Sequence, residues 1–195
     1  MARLTRQEYE ARLRRIRLLA MDVDGVLTRG DIIYLGGSSE GKMFHVRDGA
    51  AMYIARLVGF RTVVITGRRS QAVQRRMEEL PVDDLRQGVL DKLSVCREIQ
   101  MQHGISDDEV AYIGDDLIDL QLMEQAGLGI AVADAQPQLL QLADWVTDRK
   151  GGCGAVREVV DDIVTAKGLW EEITADYRRQ RGELAADALQ GERAG

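Results

Sequence analysis

The most constraining feature of the sequence is a series of short apolar runs separated by segments with helical periodicity. The runs include residues 16–21, 62–65 and 110–113. Continuous apolar runs of this length are typical of strands buried on both faces, whereas the segments between them repeat their apolar residues every three or four positions. This alternation predicts an α/β fold with a mostly parallel sheet and helices on both faces.

Polar residues follow each of these runs, either directly or after a single glycine. Asp22 and Asp24 come after the first run, Thr66 after the second, and Asp115 with Asp116 after the third. Because ligands of such folds bind beyond the carboxyl ends of the strands, we expect these side chains to converge on one crevice. Each cluster alone also fits an ordinary turn or helix cap, so the convergence is the more informative observation.

Asp22 and Asp24 are separated by one residue, and in an extended segment residues i and i+2 project to the same side. Two carboxylates crowded at the end of an apolar strand repel each other unless a cation or a proton lies between them. We therefore predict a divalent metal at this place and a nucleophilic role for Asp22. An acidic turn without further function is the alternative that this stretch alone leaves open.

The crevice would offer an anionic phosphate ester the groups that phosphoryl transfer requires. Asp22 and Asp115 come from different strands and offer carboxylate oxygens, which Mg²⁺ prefers alongside water and phosphate oxygens. Thr66 offers a hydroxyl and backbone N–H groups near a helix start, and Lys92 offers a positive charge. Asp119 is placed to orient Lys92 or metal-bound water. Taken alone, Lys92 would be interpreted as a solvated surface residue.

Two segments lie outside the alternating pattern. Residues 31–35 and 42–46 flank a glycine-rich stretch, 36–41, which predicts a β-hairpin with a long loop. Near the C-terminus the composition changes to charged, helix-prone sequence with few large apolar residues. We therefore expect a core domain over residues 1–168 and a charged helical tail, outside the core, over 169–195.

The formal net charge of -6 argues against a nucleic-acid-binding surface, which needs a basic face. The negative net charge does not exclude a small anionic substrate, because a local cluster of cationic side chains can outweigh it. No apolar run has the length needed to span a bilayer, so no membrane partner is expected. Cys96 and Cys153 lie far apart without metal-ligand spacing, which favours reduced thiols in a cytoplasmic protein.

Four motifs occur in a fixed order: DVDGVLT from residue 22, ITGR from 65, QGVLDKL from 87 and YIGDDLIDL from 112. This order resembles the haloacid dehalogenase superfamily of phosphotransferases. Further motifs are similar to the 3-deoxy-D-manno-octulosonate 8-phosphate (KDO 8-phosphate) phosphatase family: VRDG at 46–49, AVADA at 131–135 and GGCGAVREV at 151–159. The similarity extends over roughly residues 18–167.

The resemblance implies a role for each strand-end residue. Asp22 would be the nucleophile and Asp24 the general acid and base, while Thr66 and Lys92 would hold the phosphoryl group. Mg²⁺, or another divalent ion such as Co²⁺ or Mn²⁺, would have these ligands: the Asp22 carboxylate, the Asp24 carbonyl and Asp115, supported by Asp116 and Asp119. The substrate would contact Lys92 and a further set of residues: His45, Val46, Arg47, Asp48, Gly49, Arg68 and Arg76.

The resemblance also implies an architecture and an activity. The family lacks a large cap domain and forms homotetramers, in which a hairpin at about residues 26–46 closes a neighbouring subunit's site. An apolar hairpin without a cap also needs partners to bury it. The implied reaction is the Mg²⁺-dependent hydrolysis of a small sugar-acid phosphate, KDO 8-phosphate, through an aspartyl-phosphate. Its product would serve lipopolysaccharide precursor synthesis.

Three positions depart from the family pattern. Tyr53 and Cys153 stand where the family can carry arginine, and Asp91 stands where it often has asparagine. With fewer positive charges near the sugar acid, a nine-carbon substrate, sialic or ketodeoxynonulosonic acid 9-phosphate, is the alternative. A non-catalytic scaffold that keeps the fold is an alternative of another class.

Overall fold

A computed structural model describes residues 4–37 and 39–179 of the chain. Its main sheet has six strands in the order β5-β4-β1-β6-β7-β8, and every neighbouring pair is parallel. These strands are β1 (Leu18–Met21), β4 (Arg61–Thr66), β5 (Asp84–Gln87), β6 (Val110–Gly114), β7 (Leu128–Ala131) and β8 (Trp145–Val146). A separate antiparallel hairpin contains β2 (Ile33–Gly36) and β3 (Ser39–Gly41).

Helices follow the strands in alternation, as the apolar periodicity predicts. They are α1 (Arg6–Leu13), α2 (Val46–Leu57), α3 (Gln71–Glu78), α4 (Lys92–His103), α5 (Leu120–Gln125), α6 (Pro137–Leu142) and α7 (Ala155–Lys167). Short 3₁₀ turns precede β6 and α5, at Asp107–Glu109 and Leu117–Asp119. The predicted α/β fold with a parallel sheet and no large cap domain is confirmed.

The direction in which successive strands are added to the sheet reverses between β1 and β6. Connections from β1 to β4 and β5 run toward one edge, whereas those from β6 to β7 and β8 run toward the other. Because parallel crossovers are right-handed, α2 and α3 cover one face, and α4, α5 and α6 cover the opposite face. α7 packs against α1 and α2 on the first face. The carboxyl ends of β1 and β6 therefore open a crevice, the usual ligand site of such folds.

The strand register brings the end of β1 to within one residue of the end of β6 and within two residues of the end of β4. Met21, the last residue of β1, pairs with Val64 on one side and Ile113 on the other. All four residues of β1 are buried, so the strand is fixed between its neighbours by apolar contacts on both faces. The residues that follow β1 and β6 must consequently emerge side by side.

The hairpin is more compact than the sequence predicts. We expected strands over 31–35 and 42–46, but the second strand is Ser39–Gly41 and Val46 already begins α2. Gly36 and Gly37 both adopt positive φ, 100° and 58°, which only glycine tolerates easily, so the chain reverses at once instead of forming a long loop. Residues 42–45 thereby become a connection that leads from the hairpin back toward the sheet.

Residues 170–179 form a further helix that begins the predicted tail. Ile173 on this helix is only 3% exposed and belongs to the hydrophobic core, and Leu169 and Trp170 pack against that core. The expectation of a tail wholly outside the core is therefore wrong at Ile173. The division of the chain near residue 168 stays a prediction, and its remainder, 180–195, lies outside the described residues.

Replacing Ile173 by alanine is expected to lower the free energy of unfolding by about 2–4 kcal/mol, because it empties a buried apolar site. The neighbouring exposed residue Glu172 supplies the control, and Glu172→Ala should change stability by less than about 0.5 kcal/mol. Urea denaturation followed by circular dichroism measures both. Equal stabilities of the two variants would mean that this helix does not contribute to the core.

Within the described part of the chain, no helix combines the length and the apolar character that crossing a membrane requires. Cys96 is buried and Cys153 half-buried, and neither forms a disulfide.

Candidate active site

Asp22 and Asp115 emerge from the adjacent strands β1 and β6 and face each other across the crevice. One carboxylate oxygen each of Asp22, Asp115 and Asp119 lie within 4.8 Å of one another. Gly25 makes this approach possible, because a Cβ built on it would lie 1.9 Å from Asp115 Oδ2. The convergence that strand alternation predicts is thus present in the structure.

Lys92, the first residue of α4, places its ammonium beneath this pair of carboxylates. Its side chain is 1% exposed. Lys92 Nζ lies 2.6 Å from Asp22 Oδ2, 2.5 Å from Asp119 Oδ1 and 3.2 Å from the Tyr112 hydroxyl. Because Nζ contacts three oxygen atoms, the ammonium is fixed in position, which excludes the interpretation of Lys92 as a solvated surface residue.

Both carboxylate oxygens of Asp119 accept hydrogen bonds from within the protein. Its Oδ1 accepts hydrogen bonds from Lys92 and from the Tyr112 hydroxyl, the latter at 2.5 Å. Its Oδ2 accepts hydrogen bonds from the backbone N–H groups of Asp115 and Asp116, at 2.8 and 3.2 Å. Because the Asp119 carboxylate already accepts four hydrogen bonds, it has little capacity left to bind a metal ion. Orienting Lys92 therefore fits the structure better than orienting metal-bound water, the other role expected for Asp119.

Asp22 and Asp115 carry the electrostatic character expected of cation ligands. Burial, followed by the negative charges of Asp119 and Asp22, raises the pKa of Asp115 to about 8. Burial also raises the pKa of Asp22 to about 6, although the positive charge of Lys92 opposes the rise. No donor among the residues that the structure describes forms a hydrogen bond to the Asp115 carboxylate. A hard divalent cation would supply the missing partner for these oxygens.

Asp24 has a separate set of contacts, on the side of the hairpin. Lys42 Nζ contacts Asp24 Oδ1, and the Thr28 hydroxyl lies 3.4 Å from the same oxygen. Arg68 Nε lies 3.7 Å from Asp24 Oδ2, and Arg68 Nη2 donates to Glu40 Oε2 of β3 at 2.9 Å. Asp22 and Asp24 are only one residue apart in the motif, but their surroundings differ. Asp22 contacts the Lys92 ammonium, whereas Asp24 contacts Lys42 and lies near Arg68.

A cavity of about 330 Å³ lies at the carboxyl ends of the strands. It unites six of the side chains expected or implied at the site: Asp22, Asp24, Thr66, Arg68, Asp115 and Asp116. Arg29 and Ile118 also line it, and no sequence signal singled them out. The predicted phosphate-binding residue Thr66 is 2% exposed, so only a small part of its surface reaches the cavity.

Apart from Arg68, the residues implied to contact the rest of the substrate lie outside this cavity in the single chain. Arg47 lines a second cavity with Arg149 and Arg157. Asp48 is 1% exposed and accepts hydrogen bonds from the backbone N–H groups of Gly154 and Arg157, at 3.2 and 2.8 Å. Asp48 thus satisfies the start of α7, a structural task.

Four other members of this set also lie outside the cavity: His45, Val46, Gly49 and Arg76. Arg76 pairs with Glu79 at 3.0 Å and lies over Gly49, where a Cβ would come within 2.4 Å of its guanidinium. Val46 is exposed, and His45 directly precedes α2. Substrate contacts by residues 45–49 and Arg76 stay a prediction.

Two further residues of the site, Lys42 and Tyr112, are not singled out by the sequence. Lys42 falls in a predicted strand of the hairpin, and Tyr112 falls in a predicted buried strand among apolar residues. A polar hydroxyl one residue from the end of the run 110–113 was the only available signal for Tyr112. For Lys42 no local pattern indicates its partner, because the pairing depends on how the hairpin folds back.

Comparison with known proteins places the chain. Residues 84–159 match the family model of haloacid dehalogenase-like hydrolases. The chain is 44% identical over 163 residues to the KDO 8-phosphate phosphatase KdsC of Escherichia coli K12, covering 83% of this chain and 86% of that one. The KdsC of Yersinia pestis is 46% identical over 160 residues, covering 82% and 85%. The chain belongs to the KDO 8-phosphate phosphatase family. The resemblance predicted from its motifs is confirmed, and with it the assignment to the haloacid dehalogenase-like phosphatases.

Solved structures of this family share the fold. The KDO 8-phosphate phosphatase of Moraxella catarrhalis, in complex with magnesium, phosphate and KDO, is 38% identical with a TM-score of 0.85, covering 89% of this chain and 99% of that one. The cobalt-bound family member from Haemophilus influenzae is 37% identical with a TM-score of 0.77, covering 80% and 92%. Relatives with the same fold have therefore been solved with a bound divalent metal ion.

Gly25→Ala should impair both stability and turnover, because the new Cβ would displace the Asp115 carboxylate. Gly59→Ala is the matched control: Gly59 has φ 79°, close to the 77° of Gly25, and a Cβ there meets nothing within 4 Å. In both variants, an alanine at positive φ should lower the free energy of unfolding by about 1 kcal/mol, which thermal unfolding measures. Only Gly25→Ala should lose turnover of p-nitrophenyl phosphate, by at least about tenfold. Equal turnover in the two variants would mean that Gly25 does not determine the geometry of the site.

Proposed function

We propose that the protein hydrolyses KDO 8-phosphate to KDO and phosphate in the cytoplasm, and that the product serves lipopolysaccharide precursor synthesis. The observation that carries this proposal is the Asp22 carboxylate, which contacts the buried Lys92 ammonium, lies close to Asp115 and lines the cavity. The relatives that bear this activity in their names match more than four fifths of the chain.

Asp22 is the nucleophile of the proposed reaction. One of its oxygens attacks phosphorus, and the bond from phosphorus to the ester oxygen breaks. Asp24, acting as general acid, gives its proton to the departing oxygen, which leaves as the alcohol of the sugar acid. Lys92 and Thr66 hold the phosphoryl group during this transfer, and the fixed Lys92 charge offsets negative charge on its oxygens.

Hydrolysis of the aspartyl-phosphate completes the reaction. Asp24, now ionised, accepts a proton from a water molecule as that water attacks phosphorus. The bond between phosphorus and the Asp22 oxygen breaks, phosphate leaves, and Asp22 is restored as a carboxylate. Asp24 ends the cycle protonated, as it began, so one water is consumed for each ester cleaved.

The carboxylates of Asp22 and Asp115 and the backbone carbonyl of Asp24 would hold Mg²⁺, with Asp116 and Asp119 in support. Their oxygen-only chemistry suits this ion and also Co²⁺ or Mn²⁺. A bound divalent cation supplies charge neutralisation for the phosphoryl oxygens and for the crowded carboxylates. The magnesium-bound and cobalt-bound relatives support this assignment.

We further propose a homotetramer assembled through the hairpin. Tyr34 and Leu35 of β2 are 81% and 68% exposed, and Met43 is 68% exposed. Exposed apolar side chains grouped on one small element favour burial against another subunit. In such an assembly residues 45–49 and Arg76 would line the substrate site. Light scattering would measure the mass of four chains, and a monomer at micromolar concentration would contradict the assembly.

A comparison of three phosphate esters tests the substrate. We expect higher kcat/KM for KDO 8-phosphate than for sialic acid 9-phosphate or ketodeoxynonulosonic acid 9-phosphate, with loss of turnover in EDTA and recovery with Mg²⁺. The nine-carbon alternative draws support from Tyr53, whose hydroxyl donates to the Glu79 carbonyl at 3.1 Å and supplies no charge. A preference for either nine-carbon ester would favour that alternative, and hydrolysis of none would favour a scaffold.

A further inference from the structure

Lys42 is a half-buried residue whose side chain is buried and contacts Asp24, the proposed acid and base. It lies just beyond β3, its side chain is 1% exposed, and its Nζ pairs with Asp24 Oδ1. Asp24 itself is 24% exposed at the cavity. Burying an ammonium is costly unless a counter-charge compensates it, so the contact defines where both groups lie.

The contacts of Asp24 are unequal between its two oxygens. Oδ1 receives Lys42 Nζ, with the Thr28 hydroxyl 3.4 Å away. Arg68 Nε, 3.7 Å from Oδ2, lies beyond hydrogen-bonding distance, and the Arg68 side chain is half exposed. Of the described residues, none therefore forms a hydrogen bond to Oδ2. One oxygen is anchored, while the other is available to exchange a proton.

We propose that Lys42 is a positioning residue that anchors Asp24 through Oδ1, so that Oδ2 is presented to the leaving oxygen and to the attacking water. The inference rests on the proposed function, in which Asp24 transfers the proton in both steps. It gives the hairpin a task inside its own chain's active site, beyond any contact that it makes with a neighbouring subunit.

A merely structural role for Lys42 predicts different behaviour. If Lys42 only fastened the hairpin to the sheet, its loss would lower the melting temperature and leave kcat of the folded protein unchanged. If Lys42 instead contacted the substrate, its loss would raise KM. Positioning of Asp24 predicts a fall in kcat with little change in KM, because the group it fixes acts during proton transfer.

The test compares Lys42→Met, Lys42→Arg and the control Lys167→Met. Lys167 lies at the far end of α7, and its Nζ donates to the Arg14 carbonyl, so the control removes one lysine contact away from the cavity. With KDO 8-phosphate and with p-nitrophenyl phosphate, Lys42→Met should lose about 10- to 100-fold in kcat, with KM within about threefold. Lys42→Arg should recover part of the loss, and Lys167→Met should match the parent chain.

A double-mutant cycle identifies Asp24 as the group through which Lys42 acts. In an Asp24→Asn background, Lys42→Met should cause less than about a twofold further loss, since the carboxylate that it anchors is already gone. Circular dichroism checks that each variant is folded. Should Lys42→Met prove unfolded, Lys42→Arg and its cycle with Asp24→Asn provide the same comparison.

Different failures lead to different conclusions. A parent chain that hydrolyses neither ester would overturn the proposed function and this inference together. An active parent chain with an undiminished Lys42→Met variant, a change confined to KM, or losses that multiply in the Asp24→Asn background would overturn the role of Lys42 alone.

Discussion

Asp22→Asn is expected to reduce phosphatase turnover by at least about 1,000-fold. The amide is a poor nucleophile, and it also removes one of the two carboxylates that would bind the cation. The overall structure should persist, because Asn is nearly the same size and Lys92 keeps its contact with Asp119. Steady-state assay with p-nitrophenyl phosphate, together with circular dichroism, measures both quantities.

Asp108→Asn provides the matched control for this change. It removes the same charge from an exposed residue whose ion pair with Arg15, at 3.6 Å, lies away from the cavity. Its turnover should stay within about twofold of the parent, because exposed ion pairs contribute little. Retention of more than a tenth of the parent activity in Asp22→Asn would remove Asp22 from the nucleophilic role.

Lys92→Met is expected to lower both stability and activity, the former by about 3–5 kcal/mol. The substitution leaves Asp22 and Asp119, both buried, without their shared counter-charge. Turnover should fall by at least about 100-fold, because the fixed charge beside the transferring group is lost. Denaturant unfolding and steady-state kinetics measure the two effects.

A second substitution separates those two effects. Asp119→Asn, combined with Lys92→Met, removes one of the unpaired charges while keeping an oxygen that can accept hydrogen bonds from residues 115 and 116. Part of the lost stability should return, whereas turnover should not. Wild-type stability in the single variant Lys92→Met would contradict the view that this lysine neutralises a buried acidic cluster.

Much of this fold was predictable because its strands are buried on both faces and its helices carry local signals. Thr5 and Glu8 form a capping box at the start of α1, and Gly104 ends α4 in the left-handed conformation that glycine favours. The convergence of Asp22 with Asp115 was likewise predictable, since parallel strands must end at the same edge of a sheet. Their chemical roles stay predictions.

The contacts that were missed depend on distant parts of the chain. Lys42 finds Asp24 only because Gly36 and Gly37 reverse the hairpin earlier than expected. Asp48 accepts hydrogen bonds from N–H groups at the start of α7, far along the sequence, and no local pattern indicates this pairing. Ile173 is one apolar residue in a charged segment, too weak a pattern to indicate burial. None of these pairings leaves a periodic signal in the sequence.

The position of β1 between β4 and β6 also has a consequence for how the chain folds. β1 is made early, but Leu18–Met21 pairs on one side with Val110–Ile113, which emerge from the ribosome much later. Until then one edge of β1 is unpaired and open to mistaken pairing. Asp22 and Asp115 meet only when β6 docks, so their mutual repulsion opposes a late step of folding, and divalent cations should accelerate that step.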